Sequence, residues 1–418
     1  MTRPLEGIRI VDLSMGWAGP LACRHMADMG ADVIKVESCE RFDWWRSWEA
    51  TPEWIADDGA EKSAAFNMVN RNKRSVTLDL EHAEGRRMLL DLVRRSNAVV
   101  ENFSGGVMRK LELSYDVLRS VREDVILLSM PAFGSTGPWA EFRAYGSTVE
   151  QSSGLPHLNG LPEDPPTMQH VAYGDAVGGL TGASALVTAL RHQARTGQGQ
   201  FVDLSQVEAL HALGVHGILE HDVMGPPFRR LGNRSLRFAP HGVYPGAAVQ
   251  TPAGDDADEW IVIQVFDETQ WRSLRAVASP ALDDFGDLTD RLSRTDELEA
   301  ALAGWTKQHP VRPLMHRLQQ AGVPAAATNS AASLLEDEQL ETRGFWQYLE
   351  RAVVGMQPNP SAPYRVGAEP IAIAAPAPTM GQHNREVLMG MLGLSEAEVT
   401  RLTDLGVIGT RPRMPKER

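Results

Sequence analysis

The chain predicts an α/β protein, with a parallel sheet in a large first domain and a smaller α/β domain after it. Three observations carry this reading. Residues 8–36 read as strand, turn, helix, strand: Ile8–Leu13 is mostly apolar, Met15-Gly16-Trp17-Ala18-Gly19-Pro20 is the turn, Leu21–Met29 has helical spacing closed by Gly30, and Val33–Val36 is the second strand. Such a βαβ opening pairs its strands in parallel. Apolar strands and helical stretches then alternate as far as Met130, and 418 residues exceed what one ordinary core holds, which predicts about two domains.

Taken in order, Pro20 suits a first helical position, where its missing N–H costs nothing. Ser75–Leu80 reads as strand, Ala83–Arg95 as helix, Ala98–Glu101 as strand, Tyr115–Arg122 as helix and Val125–Met130 as another buried strand, the alternation of an open, Rossmann-like sheet. From Ser147 the pattern turns helical, through Ala176–Arg195 and Gln206–Met224. Pro226–Gly246, rich in Pro, Gly and Arg, reads as a linker or mobile loop. A second compact unit begins near Trp260 with the strand Ile261–Val265 and runs through two helical stretches to Val323-Pro324-Ala325. Pro358–Pro378 is an extended traverse, and the helices Asn384–Leu392 and Glu396–Leu405 are expected to return to the first domain before a basic, solvated tail, Arg411–Arg418. The expected boundaries are 1–225 for the first part of the large domain, 226–335 for the small domain with its linker, and 336–418 for the return.

An apolar share of 43% suffices for both cores. No run approaches the ~18 apolar residues that cross a bilayer, and Arg3, Glu6 and Arg9 stand where a secretory leader would be apolar, so a soluble cytoplasmic protein with no membrane partner is expected. A net charge of −13 disfavours nucleic acid, so an anionic small ligand must be held by a local basic patch. Cys23 and Cys39 form no Cys-x-x-Cys pair and read as buried thiols, and no metal site is expected.

The opening βαβ also fits a dinucleotide site, with Glu37 at the ribose-binding position. The turn, however, has Gly16 and Gly19 but Pro20 and Leu21 where a third glycine belongs, so a nicotinamide-dependent oxidoreductase is a weak alternative.

Asp175 carries the main functional reading. It lies in Tyr173-Gly174-Asp175-Ala176-Val177-Gly178-Gly179, at the mouth of a small-residue helix that closes at Thr196-Gly197-Gln198-Gly199-Gln200. On position alone, helix capping is the commoner reason for an Asp there. The two roles are compatible, because a helix N-terminus favours the ionised form that a nucleophile needs. Gly178, Gly179, Gly182 and Ala183 allow close approach of a ligand, or of another helix.

That stretch, with Pro4-Leu5-Glu6-Gly7-Ile8-Arg9, Asn70-Arg71-Asn72-Lys73-Arg74-Ser75, Gly322-Val323-Pro324 and Gly381-Gln382-His383-Asn384, resembles the family III CoA-transferases over essentially the whole chain. The resemblance implies an interlaced, ring-like homodimer and no permanently bound cofactor, with coenzyme A as co-substrate and acyl-CoA and carboxylic acid substrates. It also implies that Asp175 is a covalent nucleophile, carrying CoA between acids by way of an aspartyl anhydride and an aspartyl-CoA thioester. Family positions that line the CoA channel fall on Trp17 and Ala18, on Leu78, Asp79, Leu80 and Glu81, on Asn102, Phe103 and Ser104, on Lys110, and on Arg143, Ala144 and Tyr145. Lys73 and Arg74 are phosphate candidates by charge.

Some positions depart from the pattern. Ser38 stands where relatives carry an adenine-stacking arginine, leaving Arg41 or Arg46 as substitutes, and a glycine-rich lid is reduced to Gly242 and Gly246. The aromatic insert Phe42–Trp54, with Trp44, Trp45, Trp48 and Trp54, reads either as an acyl pocket or as packing on a dimer surface. The relatives include 2-methylacyl-CoA racemases, which pair the carboxylate with a His; Tyr145 fills that position and disfavours racemase or epimerase chemistry.

Overall fold

The structure, a computed structural model, describes residues 3–168, 171–225, 230–250 and 256–414. It divides into two compact units, one made of Met1–Pro156, Met168–Pro226 and Glu338–Arg418, the other of His157–Thr167 and Pro227–Asp337.

In the first unit, β1 (Arg9–Asp12), β2 (Asp32–Glu37), β3 (Arg74–Thr77), β4 (Ala98–Glu101), β5 (Ile126–Ser129) and β6 (Phe201–Asp203) form one parallel sheet in the order β3-β2-β1-β4-β5-β6. Because strand residues alternate faces, Val11, Ile34, Val76, Val99 and Leu127 point to one side, and Ile10, Val33, Ala98, Val100, Ile126 and Leu128 to the other. The helices connecting these strands are α1 (Ala18–Asp28), the short α2 (Pro52–Ala56) and α3 (Ala64–Asn70), α4 (Ala83–Val93), α5 (Val107–Lys110), α6 (Tyr115–Val121), α7 (Gly146–Ser152) and α8 (Tyr173–Thr196); α9 (Gln206–Met224) follows the sheet. The first face packs on Leu89 of α4, Leu118 of α6 and the C-terminal Val387, Leu388, Val399 and Leu402; the second packs on Ala22 and Met26 of α1 and Ala183, Leu186 and Leu190 of α8.

The chain leaves β1 toward β2 and β3 on one side and returns as β4 on the other. The carboxyl ends of β1 and β4 are therefore the switch point, where an open parallel sheet leaves a crevice for a ligand.

Several elements differ from expectation. α1 starts at Ala18, so Pro20 is its third residue; that is still within the first turn, whose N–H groups have no helical acceptor. The short strand β6 falls between the expected helix end at Thr196–Gln200 and the helix from Gln206, where no strand is expected. Within Pro226–Gly246, His241–Pro245 is a strand rather than a loop, pairing with Trp260–Gln264 in a three-stranded antiparallel sheet completed by Ala325–Ala327; residues 226–229 lie outside the described ones. The helices Glu268–Ala278, Leu288–Ser293, Thr295–Thr306 and Val311–Gln320 complete this second unit around Ile261, Ile263, Trp271, Leu302 and Leu314.

The C-terminal segment belongs to the first unit. Trp346–Arg351 and Gly355–Pro360 form a hairpin, and Asn384 Oδ1 accepts the Thr77 N–H at 2.9 Å while its Nδ2 donates to Gly409 O at 2.9 Å. Of the expected solvated tail, Arg411 pairs with Asp58 at 2.8 Å and the Arg413 N–H donates to Cys39 O at 2.7 Å; residues 415–418 lie outside the described ones.

Beneath β1 to β3 lies a cluster of buried charge. Lys73 Nζ donates to Asp12 Oδ2 at 2.8 Å, Pro20 O at 2.9 Å and Asn70 Oδ1 at 2.8 Å, which uses all three of its protons. Removing one partner of such a pair strands the other in a dry interior. Lys73→Met is therefore expected to cost roughly 3–5 kcal/mol of stability, read as a lowered urea midpoint; an unchanged midpoint would show that the pair contributes nothing.

Candidate active site

Two cavities open at the switch point. One, of about 270 Å³, is lined by Leu13, Met15, Ser38, Arg41, Phe42, Leu78–Glu81, Phe103 and others; the second, of about 230 Å³, is lined by Met15, Trp44, Asn102, Phe103, Ser104, Phe142–Gly146, Val149, Asp175 and Gln206, among others. Met15 and Phe103 belong to both walls, so the two cavities adjoin, and Asp175 lines the second. The loops after β1 and β4 are clamped there: the Asn102 side chain accepts the Met15 N–H and donates to the Met15 carbonyl, each at 2.8 Å. Glu101 accepts the Phe103 N–H at 2.8 Å and the Ser129 hydroxyl, and burial pushes its carboxyl up to about 7.

Asp175 is the third residue of α8, not its cap; that position is Ala172, and Glu150 of α7 accepts the Tyr173 N–H at 3.3 Å. The capping explanation for Asp175 therefore fails. Asp175 is 8% exposed, and its carboxylate faces the Ala18 backbone N–H at the start of α1. Burial raises its pKa to about 6, the nearby Ala18 N–H opposing the rise, so the helix N-terminus does not hold the acid at its ordinary value. It remains mainly ionised at neutral pH.

Small residues permit the approach. A Cβ on Gly146 would fall 1.9 Å from Asp175 Oδ2, and one on Gly179 would fall 2.8 Å from Ala18 O. Either would push α7 or α1 away from the carboxylate.

Of the residues named from sequence, Ser38, Leu78, Asp79, Leu80, Glu81 and Phe103 line the first cavity, and Asn102, Phe103, Ser104, Arg143, Ala144, Tyr145 and Asp175 the second. Ala18 acts through its backbone. Trp17 packs its ring on Trp45 at 5.4 Å and does not line either cavity, and Lys110 is exposed away from both.

Charges named as CoA contacts sort more sharply. Lys73 is consumed by its three buried acceptors, and Arg74 pairs with Asp32 at 2.5 Å and with Glu386 at 2.9 Å, so neither is free for phosphate. Arg46 is buried in a bidentate pair with Glu37, both bonds 2.9 Å, and lies 3.6 Å from the centre of the Phe66 ring. Arg41, by contrast, lines the first cavity, paired with Glu81 at 2.8 Å. The same Arg46 pair engages both oxygens of Glu37, which borders the first cavity but is only 2% exposed. His241–Pro245 being a strand, the Gly242–Gly246 segment is not a glycine-rich loop.

Trp44, Trp48 and Tyr145 form an aromatic cluster at the cleft. The tryptophans stack at 4.5 Å, and Tyr145 meets them edge-on at 5.6 and 5.3 Å. Trp44 lines the cleft and lies where a Cβ on Gly16 would fall 2.0 Å from its ring, at a φ of +74° that also favours glycine. Met15, Gly146, Val149 and Gln206 were not legible as cleft residues, because apolar, small or amide side chains in a turn or helix start carry no chemical signature. No histidine is among the described residues lining the cleft.

A parallel sheet with a buried carboxylate in a cavity at its switch point is the arrangement of an α/β protein with a ligand crevice. The family model for CoA-transferase family III matches residues 5–384, and the chain belongs to that family. It is 32% identical over 390 residues, 92% of this chain and 95% of the other, to a succinate–glutarate CoA-transferase of Agrobacterium fabrum. It is 30% identical to a succinyl-CoA–D-citramalate CoA-transferase of Chloroflexus aurantiacus, covering 97% and 98% of the two chains. The crystal structure of a CAIB/BAIF family protein from Brucella suis superposes with a TM-score of 0.82 at 29% identity over 93% of this chain and all, 100%, of that one. The protein is thus an enzyme of the transferase class that moves CoA.

An acid whose folded pKa is raised destabilises the fold once ionised: the penalty is absent below the unfolded value of about 4 and complete above about 6. Asp175→Asn is therefore expected to stabilise the protein by roughly 1–3 kcal/mol at pH 7 and by little at pH 4. Thermal melts across that range check it, and an advantage confined to low pH would reverse the sign.

Proposed function

We propose that the protein transfers CoA from an acyl-CoA donor to a carboxylic acid with Asp175 as the covalent nucleophile. The observation that carries this is the buried Asp175 carboxylate in the wall of the second cavity, with the Ala18 N–H beside it. The CoA moiety would run along the first cavity, its adenine end near Ser38 and Arg41 and its thiol end past Met15 and Phe103.

In the first step an Asp175 oxygen bonds to the donor thioester carbon and the C–S bond breaks, giving a mixed anhydride and CoA thiolate. Thiolate then attacks the Asp175 carbonyl and releases the donor's acid, leaving aspartyl-CoA. An acceptor carboxylate displaces the thiolate from that carbonyl to form a second anhydride. Thiolate takes the acceptor's acyl group, and Asp175 is restored as a carboxylate. The Ala18 N–H supplies a hydrogen bond to the oxyanion formed at the aspartyl carbonyl. Closeness of Gly146 and Val149 keeps water from either intermediate. Arg143, the one cation among the described residues lining the cleft, would meet a distal carboxylate of the acid, in keeping with the dicarboxylates named for the relatives above.

Transfer without a metal or resident cofactor, in the cytoplasm, completes the reading. A homodimer is part of it, supported by the exposed apolar side chains of α9, Ile218 at 59%, Leu219 at 58% and Val223 at 81%. Light scattering is expected to give twice the chain mass; a monomer at micromolar concentration would refute that part alone.

The chemistry is tested by mass spectrometry after incubation with a panel of acyl-CoAs and trapping with hydroxylamine or borohydride. An adduct or trapped product on Asp175, absent in Asp175→Ala, is expected; transfer that survives the substitution would exclude this nucleophile. Because only the carboxylate attacks, kcat/KM for the donor is expected to be flat above pH 7 and to fall about tenfold per unit well below the Asp175 pKa of about 6. A rate that rises on acidification would contradict it.

A further inference from the structure

Gln206 opens α9 behind the cap Ser205, and its own N–H donates to Pro131 O at 3.3 Å. The residue is 5% exposed and forms part of the cleft wall that holds Asp175. Nε2 donates to Met130 O at 2.7 Å. A carbonyl only accepts, so the amide nitrogen faces Met130 and the assignment of Oε1 follows.

Oε1 is buried and has no hydrogen-bond partner among the described residues. It lies over Gly178, where a Cβ would fall 3.1 Å from it. Gly178 is three residues after Asp175 and shares its face of α8. Gln206 is thus a residue of the cleft wall whose unpaired carbonyl acceptor packs against the Asp175 face of α8. Native proteins leave few buried acceptors unpaired, because the desolvation is uncompensated. A ligand that brings the missing donor recovers that cost.

We propose that Gln206 is a specificity-determining residue, recognising a hydroxyl on the acyl group held at Asp175, so that the preferred substrates are hydroxy acids and their CoA esters. This rests on the CoA-transfer reading above. A carboxylate oxygen or a plain methylene has no proton to offer Oε1, whereas a hydroxyl has one and directs it without adding charge. An unsubstituted acid leaves Oε1 as bare as in the free protein.

The test uses the full chain and three matched pairs of thioesters: 3-hydroxybutyryl- and butyryl-CoA, malyl- and succinyl-CoA, mandelyl- and phenylacetyl-CoA. Each is exchanged with its own carbon-13-labelled acid, so that no separate acceptor has to be known, and the pair members compete in one reaction. The readout is the ratio of kcat/KM within a pair, with Asp175 adducts followed in parallel. The wild type is expected to favour the hydroxylated member of at least one pair by about tenfold, the scale of one well-made hydrogen bond. That ratio is expected to fall toward 1 in Gln206→Met. Gly178→Ala, which keeps the Met130 bond and presses a methyl on Oε1, is expected to lower it as well and covers the case in which the first variant does not fold. Exchange without preference in any pair, or a preference that persists in the folded variants, overturns the role of Gln206 and leaves the transferase reading standing. No exchange and no adduct from any of the six overturns both.

Discussion

The paired burial of charge under the first three strands is the constraint on which the rest of the first unit depends. Burial alone would raise the pKa of Asp12, yet Lys73 and Lys35 outweigh it and hold the acid below its ordinary range. Lys35 donates to Ser14 O at 2.6 Å and pairs with Asp43 at 3.0 Å, and Asp43 Oδ1 accepts the N–H groups of Gly16 at 2.8 Å and Trp45 at 3.0 Å. One carboxylate thus ties the turn after β1 to the loop after β2, and with them two walls of the first cavity. Glu37, Arg46 and Glu61 continue the cluster to Arg351, which meets Glu61 at 2.6 Å. An apolar core of equal volume would be as stable, since desolvation consumes most of what such pairs return. It would not dictate where loop backbone N–H groups point, and here that direction shapes a ligand site.

The second constraint is how closely α1, α7 and α8 approach one another. Side-chain hydrogen bonds cannot bring the Ala18 N–H to Asp175; backbone proximity must, and only missing Cβ atoms allow it. Gly179 faces Ala18 O and Leu21, Gly182 faces Met130, Gly174 faces Val149, and Gly146 faces the carboxylate itself. From sequence, the small residues after Asp175 had two explanations, close ligand approach and close helix packing. They turn out to be one, because the packing is what delivers a backbone donor to the acid.

Much of this was legible before any coordinates. The βαβ opening and the strands at Ala98–Glu101 and Ile126–Ser129 declare themselves because buried parallel strands are continuous apolar runs between turn residues. β6 did not, since Phe201-Val202-Asp203 is half exposed at the sheet edge and too short to show a period. Motif resemblance pointed to Leu78–Glu81 and Asn102–Ser104, which line the two cavities, whereas charge alone misdirected: Lys73 and Arg74 look like phosphate ligands, and Arg46 like an adenine partner, until their buried or paired carboxylates are seen. A basic residue advertises its charge in sequence but not its partner. Gln206 shows the converse, a neutral side chain whose importance exists only in three dimensions.

The pKa of Asp175 joins the two constraints to the proposed chemistry. A carboxylate at its ordinary value of 3.8 would be fully ionised at neutral pH, but it would be a weak base and a poor nucleophile. Raised to about 6, it gains basicity while most of it stays ionised, which is near the optimum for attack on a thioester. The rise comes from burial, and burial comes from the same close packing of α1, α7 and α8 that places the Ala18 N–H. Opening the site to water would lower the pKa, weaken the pull of the Ala18 N–H on the carboxylate and expose an anhydride to hydrolysis together. On the proposed mechanism nucleophilicity, oxyanion stabilisation and protection of the intermediate are therefore one structural variable, the absence of side chains at Gly146 and Gly179. Selection on any one of them would hold both positions at glycine.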